Sequence, residues 1–509
     1  MDERAREPRI RQECARGAHS RALPTYTATG GEGSRTRRRV VTAIGLALPL
    51  VLLAACGPND PDPGHAATDP GTEEATDREV VEVAARTPRL AITYDGGVQV
   101  LDAATLEVVS DIELEGFNRL NDAGDGRHAL VSTSGGFQVL DLGTWGEPHG
   151  DHAHYYTSGA VLTETSFPAE APGHVVVNEG RTTLFDDADG QVTVFDSGDL
   201  RDDSRDVREY TTDEPHHGLA MELSDGTLVV SHGDTEARTG IRVLDAADAE
   251  MAASDECPGL HGSAVGAAET VVLGCADGAL IYADGQITKA TSPDEDGSIG
   301  TLSGAPNSAV VLGNYSEPTQ VSLIDTASGQ VHLVDLPAEY SGTSLARGDD
   351  GEALVLGTDG QIHVIDPDAR EVVTSIPVIE EWSVPEDWQE PRPGLIALDG
   401  SVFVTDPGTD TIHAVDIPTA EVWNTAELDV TPNDLIGVTG DLVAGVSEDD
   451  DDRDHGHDDH DHDHDHDHDH GQDQDQDHDH GHDHDHDHDQ DQDHDHDHDH
   501  DHDDDGHDH

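Results

Sequence analysis

From about residue 90 to residue 446 the chain alternates short apolar runs with turn residues, and one unit keeps returning. Its clearest mark is a strand-length segment in which apolar side chains flank a polar one and an acid closes the run. "VQVLDAAT" (98–105), "FQVLDLGT" (137–144), "VTVFDSGD" (192–199), "IRVLDAAD" (241–248), "VSLIDTAS" (321–328), "IHVIDPDA" (362–369) and "IHAVDIPT" (412–419) carry it, and "ALIYADGQ" (279–286) is a degenerate copy. Period-two alternation bounded by "DG" and "GG" turns is the pattern of half-buried β-strands. Units spaced mostly 40 to 55 residues apart, with several strands each, predict a β-propeller. A single small twisted sheet cannot bury both of its faces, so the sheets stack in a ring. The fold class expected is therefore all-β. Eight strand exits predict eight blades, with seven as the alternative, and "NDLIGVTGDLVAGV" (433–446) is expected to return to the first blade and close the ring. The closing aspartates are expected to accept hydrogen bonds from backbone N–H groups in the turns that follow.

The two ends read differently. "RTRRRVVTAIGLALPLVLLAACG" sets Arg35, Arg37, Arg38 and Arg39 before an apolar run, Val40 to Ala55, that is short for a stable membrane span. Leu53-Ala54-Ala55-Cys56 matches the bacterial lipoprotein signal, in which small residues admit the peptidase and the thiol of Cys56 carries the lipid. The order predicted is an N-terminal extension and lipoprotein signal peptide (1–56), a disordered acidic tether (57–87), the propeller (88–447) and a disordered Asp/His-rich tail (448–509). The tail has no apolar residue to bury. It holds 21 of the 35 histidines, among them His455, His457, His460, His462, His464, His466, His468 and His470, and reads as a many-site metal chelator whose sites are not preorganised. The expected location is extracytoplasmic, on the cell membrane, through Cys56.

Charge narrows the function. The formal net charge is −83. The tail, with 31 acids and one arginine, accounts for −30 of it, so the middle is strongly acidic too. Such a surface repels nucleic acid and attracts cations. Lys289 is the only lysine.

Histidines inside the repeat carry the candidate chemistry. "APGHVVV" (171–177), "EPHHGLAMEL" (214–223) and "CPGLHGSAVG" (257–266) lie where a loop from one blade leads into the innermost strand of the next. They deliver His174, His216 or His217, and His261 at equivalent positions of three consecutive blades, hence together at the mouth of the central channel. Imidazole suits zinc and other borderline metals. "EPHGDHAHYY" (147–156) adds His149, His152 and His154, and this loop is expected to bend over the same face and supply a fourth ligand. His128, His232, His332, His363 and His413 sit in strands away from these starts and read as packing residues.

Of the four cysteines, only Cys257 and Cys275 fall in the propeller. An extracytoplasmic compartment permits a disulfide. Antiparallel pairing places Cys275 roughly opposite residues 261 to 263, close to the loop that begins at Cys257, so the two are expected to be bonded.

Taken together, "GFNRLNDAGDGRHALVSTSGGFQVLD", "EPHGDHAHYY", "FPAEAPGHVVVNEG", "EYTTDEPHHGLAMELSDGTLVV" and "ECPGLHG" resemble the AztD-type zinc metallochaperones, from about residue 88 to 445. The resemblance implies an extracytoplasmic propeller that holds Zn²⁺ as cargo and hands it to the substrate-binding lipoprotein of a zinc ABC importer. It also implies a tight site at the propeller centre and a looser histidine-rich site outside it. The anchor at Cys56 and the C-terminal position of the Asp/His run depart from the family pattern. No G-x-S-x-G nucleophile motif occurs, and the channel candidates are imidazoles rather than paired carboxylates, so the reading is not an enzyme. The alternatives are a propeller hydrolase or lactonase, and an interaction scaffold with a metal-buffering tail.

Overall fold

A computed structural model describes residues 78–441 except 150, 151 and 203. The signal segment with Cys56, most of the tether, and the tail with its histidines lie outside the described residues. Among those described there are thirty-five strands and two short 3-10 turns, and no helix is long and apolar enough to cross a membrane.

Eight antiparallel sheets of four strands form the ring, and a ninth sheet of three strands is an appendage. The blade count read from the repeat is met, and the weak copy at 279–286 lies in an ordinary blade. The repeat segments are the third strands of the blades, from Gly97–Asp102 in blade 1 to Thr411–Asp416 in blade 8. The aspartate that ends the strand has a local reason. Asp102 accepts from the N–H groups of Ala104 and Thr105, Asp325 from those of Ala327 and Ser328, and Asp366 from those of Asp368 and Ala369. Each carboxylate thus closes the turn into the outermost strand.

Blade 1 is assembled from both ends of the propeller. Leu435–Val438 supplies its innermost strand and pairs with Arg89–Tyr94, placing Arg89 opposite Val438. The ring is therefore closed by hydrogen bonds between segments more than three hundred residues apart. The buried apolar side chains fall into eight clusters, each shared by two neighbouring blades. Leu219, Met221 and Val243 of blade 4 meet Val271, Leu273 and Leu280 of blade 5, and Leu90 and Leu101 of blade 1 meet Phe403 and Ile412 of blade 8. Burial of this kind contributes roughly 25 cal/mol per Å² of apolar surface, and no blade achieves it alone.

Strand direction defines two faces. Every innermost strand starts at what we call the upper face and ends at the lower one, and third strands do the same. Blade 2 has an excursion on the lower face. Its third strand, Gly136–Asp141, is followed by the hairpin Thr144–His149 and His152–Thr157 before the outermost strand Val161–Pro168 begins. The N-terminal strand Val81–Val83 adds to that hairpin as its third strand.

Candidate metal centre

Two groups of three histidines stand out among the described residues. In each group the ligand atoms lie within 4.8 Å of one another.

The first group is on the upper face. His174 lies in the innermost strand of blade 3, Pro172–Asn178; His217 precedes that of blade 4, Ala220–Glu222; His261 begins that of blade 5, His261–Gly266. Equivalent positions of consecutive blades converge as the repeat implies. Nε2 of His174 is 3.3 Å from Nε2 of His217, and the three ring centroids are 5.0–5.4 Å apart. Two nitrogens on a tetrahedral zinc, each at about 2.0–2.1 Å, are separated by roughly 3.3–3.4 Å. The pair therefore already has the spacing of one edge of such a tetrahedron.

Backbone and carboxylate partners fix the rings. His217 Nδ1 lies 2.5 Å from Oδ2 of Asp187, and His261 Nδ1 lies 3.1 Å from the carbonyl oxygen of Gly300. A proton held on Nδ1 leaves the Nε2 lone pair for a metal, which is the usual supporting arrangement for a ligating histidine. Gly262 has φ +68°, and a Cβ on it would collide with that same Gly300 carbonyl, so the residue after His261 must be glycine for the contact to form. Burial, then the neighbouring His217 and His261, then Arg119 and Arg238 push the His174 imidazole down to about 3. His261 is also lowered, chiefly by burial. Both rings stay neutral at pH 7, the state a metal needs. A cavity of about 490 Å³ opens beside His217, lined also by Asp234, Glu236, Arg238 and Gly259.

The second group is on the lower face. His149 and His152 are cross-strand partners in the hairpin, and His154 is two residues further along the second strand. A directly opposed pair and an i+2 neighbour share one side of a sheet, so three imidazoles meet. Nδ1 of His149 is 3.2 Å from Nε2 of His154, with centroids 5.0–5.2 Å apart. Nδ1 of His154 is held 2.7 Å from Oε1 of Glu82, on the added N-terminal strand. His149 and His152 are exposed.

The two triads correct the expectation of one four-histidine site. A third strand ends at the lower face, so an excursion that follows it emerges there, while His174, His217 and His261 are at the opposite face. His216 is also excluded from the triad. It is buried, its Nδ1 lies 2.9 Å from the Glu214 carbonyl oxygen, its Nε2 lies 2.9 Å from Ser231 Oγ, and it meets Phe185 edge-on. His363 and His413 are strand residues bonded to Ser375 and to Thr411 and Thr425. Cys257 and Cys275 form a disulfide, with Cα atoms 5.0 Å apart. Sequence reasoning missed Asp187, Gly300 and Glu82. The glycine beside each upper-face histidine, in "GH", "HHG" and "LHG", was the signal that the backbone there is tightly constrained.

No family model matches the chain. Among curated proteins, the zinc chaperone AztD of Citrobacter koseri is 26% identical over 357 residues, covering 67% of this chain and 84% of that protein. Two crystal structures of Citrobacter koseri AztD, one of them apo, align at TM-scores of 0.62 and 0.61. Their identities are 24% and 23%, and each alignment covers 70% of this chain and 98% of the other. At that identity the structures speak for the fold. Over 67% of its length, the chain is similar to the zinc chaperone AztD.

Proposed function

We propose that the protein is an extracytoplasmic zinc chaperone that holds the ion at the upper-face triad and releases it to an acceptor. The observation that carries this reading is the convergence of His174, His217 and His261, with one nitrogen pair 3.3 Å apart. Three imidazoles with oriented rings form a ligand set that suits zinc, and the curated relative is named a zinc chaperone. A triad on an open mouth leaves a coordination position for an incoming ligand, as transfer requires. The acceptor is the substrate-binding lipoprotein of a zinc ABC importer. The hairpin group His149, His152 and His154 is a second, looser site, and the tail histidines from His455 onward collect metal. Cys56 anchors the chain to the membrane. No catalytic role is assigned to either triad.

The test uses protein ending at residue 448, so that the tail does not mask the propeller. His174→Ala, His217→Ala and His261→Ala should each weaken zinc binding by about 10-fold to 100-fold or more, read by chelator competition. His363→Ala and His413→Ala should leave it unchanged. Equal small effects from all five, with the fold intact by circular dichroism, would remove the site.

A further inference from the structure

A cavity of about 380 Å³ opens on the lower face at the base of the hairpin. Arg78 enters it from just before the N-terminal strand, Arg127 from blade 2, and Arg201 from the 3-10 turn Ser197–Arg201 that follows the third strand of blade 3. The hairpin strand Thr144–His149 adds Trp145 and Glu147. Three guanidiniums on one cavity call for a reason in a chain with 26 basic residues against 109 acids.

The hydrogen bonds separate the three. Arg127 forks Asp141, with Nε 3.0 Å from Oδ1 and a terminal nitrogen 2.7 Å from Oδ2, and its guanidinium lies 4.0 Å over the Trp145 ring. Arg78 reaches the same carboxylate at 3.1 Å and the Gly159 carbonyl oxygen at 2.9 Å. Two guanidiniums thus share one acid. Arg201 forms no ion pair and no side-chain hydrogen bond among the described residues.

The other acids of the lining are already engaged. Asp125 accepts from the backbone N–H groups of Arg127 and His128 at 3.0 and 2.8 Å, and holds the His128 ring. Glu147 accepts from the Trp145 indole at 2.9 Å, and Asp441 pairs with Arg86 at 3.2 Å. Desolvation, and then Arg127, hold the Arg201 guanidinium below its ordinary value. An open guanidinium fork beside two other guanidiniums is closed by an anion.

Charge and surface narrow the class of anion. Asp125 and Glu147 line the same cavity and repel a second negative charge, so a monoanion fits better than a phosphate dianion. A carboxylate meets the fork with both oxygens. Val80, 53% exposed, and Trp145 give the cavity an apolar side. We propose that this cavity binds a small organic monocarboxylate, its carboxylate on Arg201 and its apolar body against Val80 and Trp145. The site is independent of both histidine triads. A bound acid ties the turn of blade 3 to the hairpin base, so it stabilises the folded chain by mass action.

The experiment titrates sodium butyrate, acetate and phosphate, at constant ionic strength, into zinc-free full-length protein and reads ligand-observed NMR and thermal melts. Butyrate should saturate with a dissociation constant on the order of millimolar and raise the melting temperature. Acetate should bind severalfold more weakly, since each CH₂ buried is worth about fourfold, and phosphate more weakly still. R201Q should weaken butyrate by about tenfold or more, with the fold intact by circular dichroism. R201K, which keeps the charge and loses the fork, should fall between. Arg205 lies over Phe167 rather than in the cavity, so R205Q should change nothing. Absence of saturable butyrate binding overturns the proposal, as do equal losses from R201Q and R205Q. Phosphate binding as tight as butyrate overturns the monocarboxylate class. Butyrate that binds only to protein ending at residue 448 would show the cavity filled by the chain's own acids, which also overturns it.

Discussion

Oδ2 of Asp187 lies 2.5 Å from Nδ1 of His217, and Oδ1 of the same carboxylate accepts from the Gly218 N–H at 3.2 Å. Asp187 follows the second strand of blade 3, Arg181–Asp186, whereas His217 belongs to blade 4. One carboxylate thus sets both the ring and the backbone of a ligand on the neighbouring blade. Asp187→Ala should weaken zinc binding by about 10-fold to 100-fold with little loss of stability. Asp187→Asn, which keeps a hydrogen-bonding oxygen, should cost less. Chelator competition alongside thermal melts checks both; unchanged affinity in Asp187→Ala would show that the carboxylate does not orient the ligand.

The two nitrogens of His216 are occupied within the protein, by the Glu214 carbonyl oxygen and Ser231 Oγ. His216→Ala should therefore lower stability by about 1–3 kcal/mol, the usual penalty for leaving buried polar groups unpaired, and barely alter zinc affinity. His217→Ala should do the reverse. Urea melts and zinc titrations of the two neighbours separate the roles, and equal zinc losses would overturn the assignment.

How much of this was legible in the chain depended on whether a pattern is local. The ring and its eight blades follow from a repeat whose strands mostly pair with their sequence neighbours, the closure from a strand that remains after the last repeat, and the aspartates at strand exits report their own turns. The convergence of His174, His217 and His261 was legible because equivalent positions of consecutive blades are neighbours in any propeller. The face on which the hairpin emerges is decided by strand direction, which its own residues do not report: Asp141 ends a third strand, and third strands end at the lower face. Asp187, Gly300 and Glu82 were not legible. Asp187 and Gly300 reach their histidines across a boundary between blades, and Glu82 reaches His154 from the neighbouring strand of the same small sheet, 72 residues away in sequence; no spacing in the sequence reports either.

Acid should empty the tail before it empties the upper-face triad. An ordinary imidazole protonates near about 6.5. Burial and its neighbours hold His174 down to about 3, and His261 is also lowered, so protons compete with zinc there only at lower pH. The sign for stability follows from the same shift. Between about 6.5 and about 3 the unfolded chain binds a proton at residue 174 that the folded apo-protein does not, so stability falls as pH falls through that window. Metal content after dialysis at pH 7, 6, 5 and 4 should show zinc kept at pH 5 by protein ending at residue 448. Loss of zinc from it at pH 6 would contradict the lowered His174 and His261 imidazoles.

The disulfide should matter to the metal as well as to the fold. Cys257 and Cys275 are 18 residues apart in sequence, and both are buried. The loop they close contains His261. The Gly259 N–H donates to the Arg238 carbonyl oxygen at 2.9 Å, and the Ala276 N–H to that of Pro258 at 2.7 Å, so the cross-link and its flanking hydrogen bonds hold the segment that sets this ligand. Closing a loop of that length contributes about 3 kcal/mol in the chain-entropy view. Cys257→Ser with Cys275→Ser should lower stability by roughly that amount and weaken zinc binding severalfold, because His261 must then be ordered as the metal arrives. Thiol labelling of the unreduced, denatured wild-type protein should find neither cysteine reactive. A double variant that melts lower yet binds zinc as tightly as wild type would confine the disulfide to stability, and free thiols at both positions would remove it.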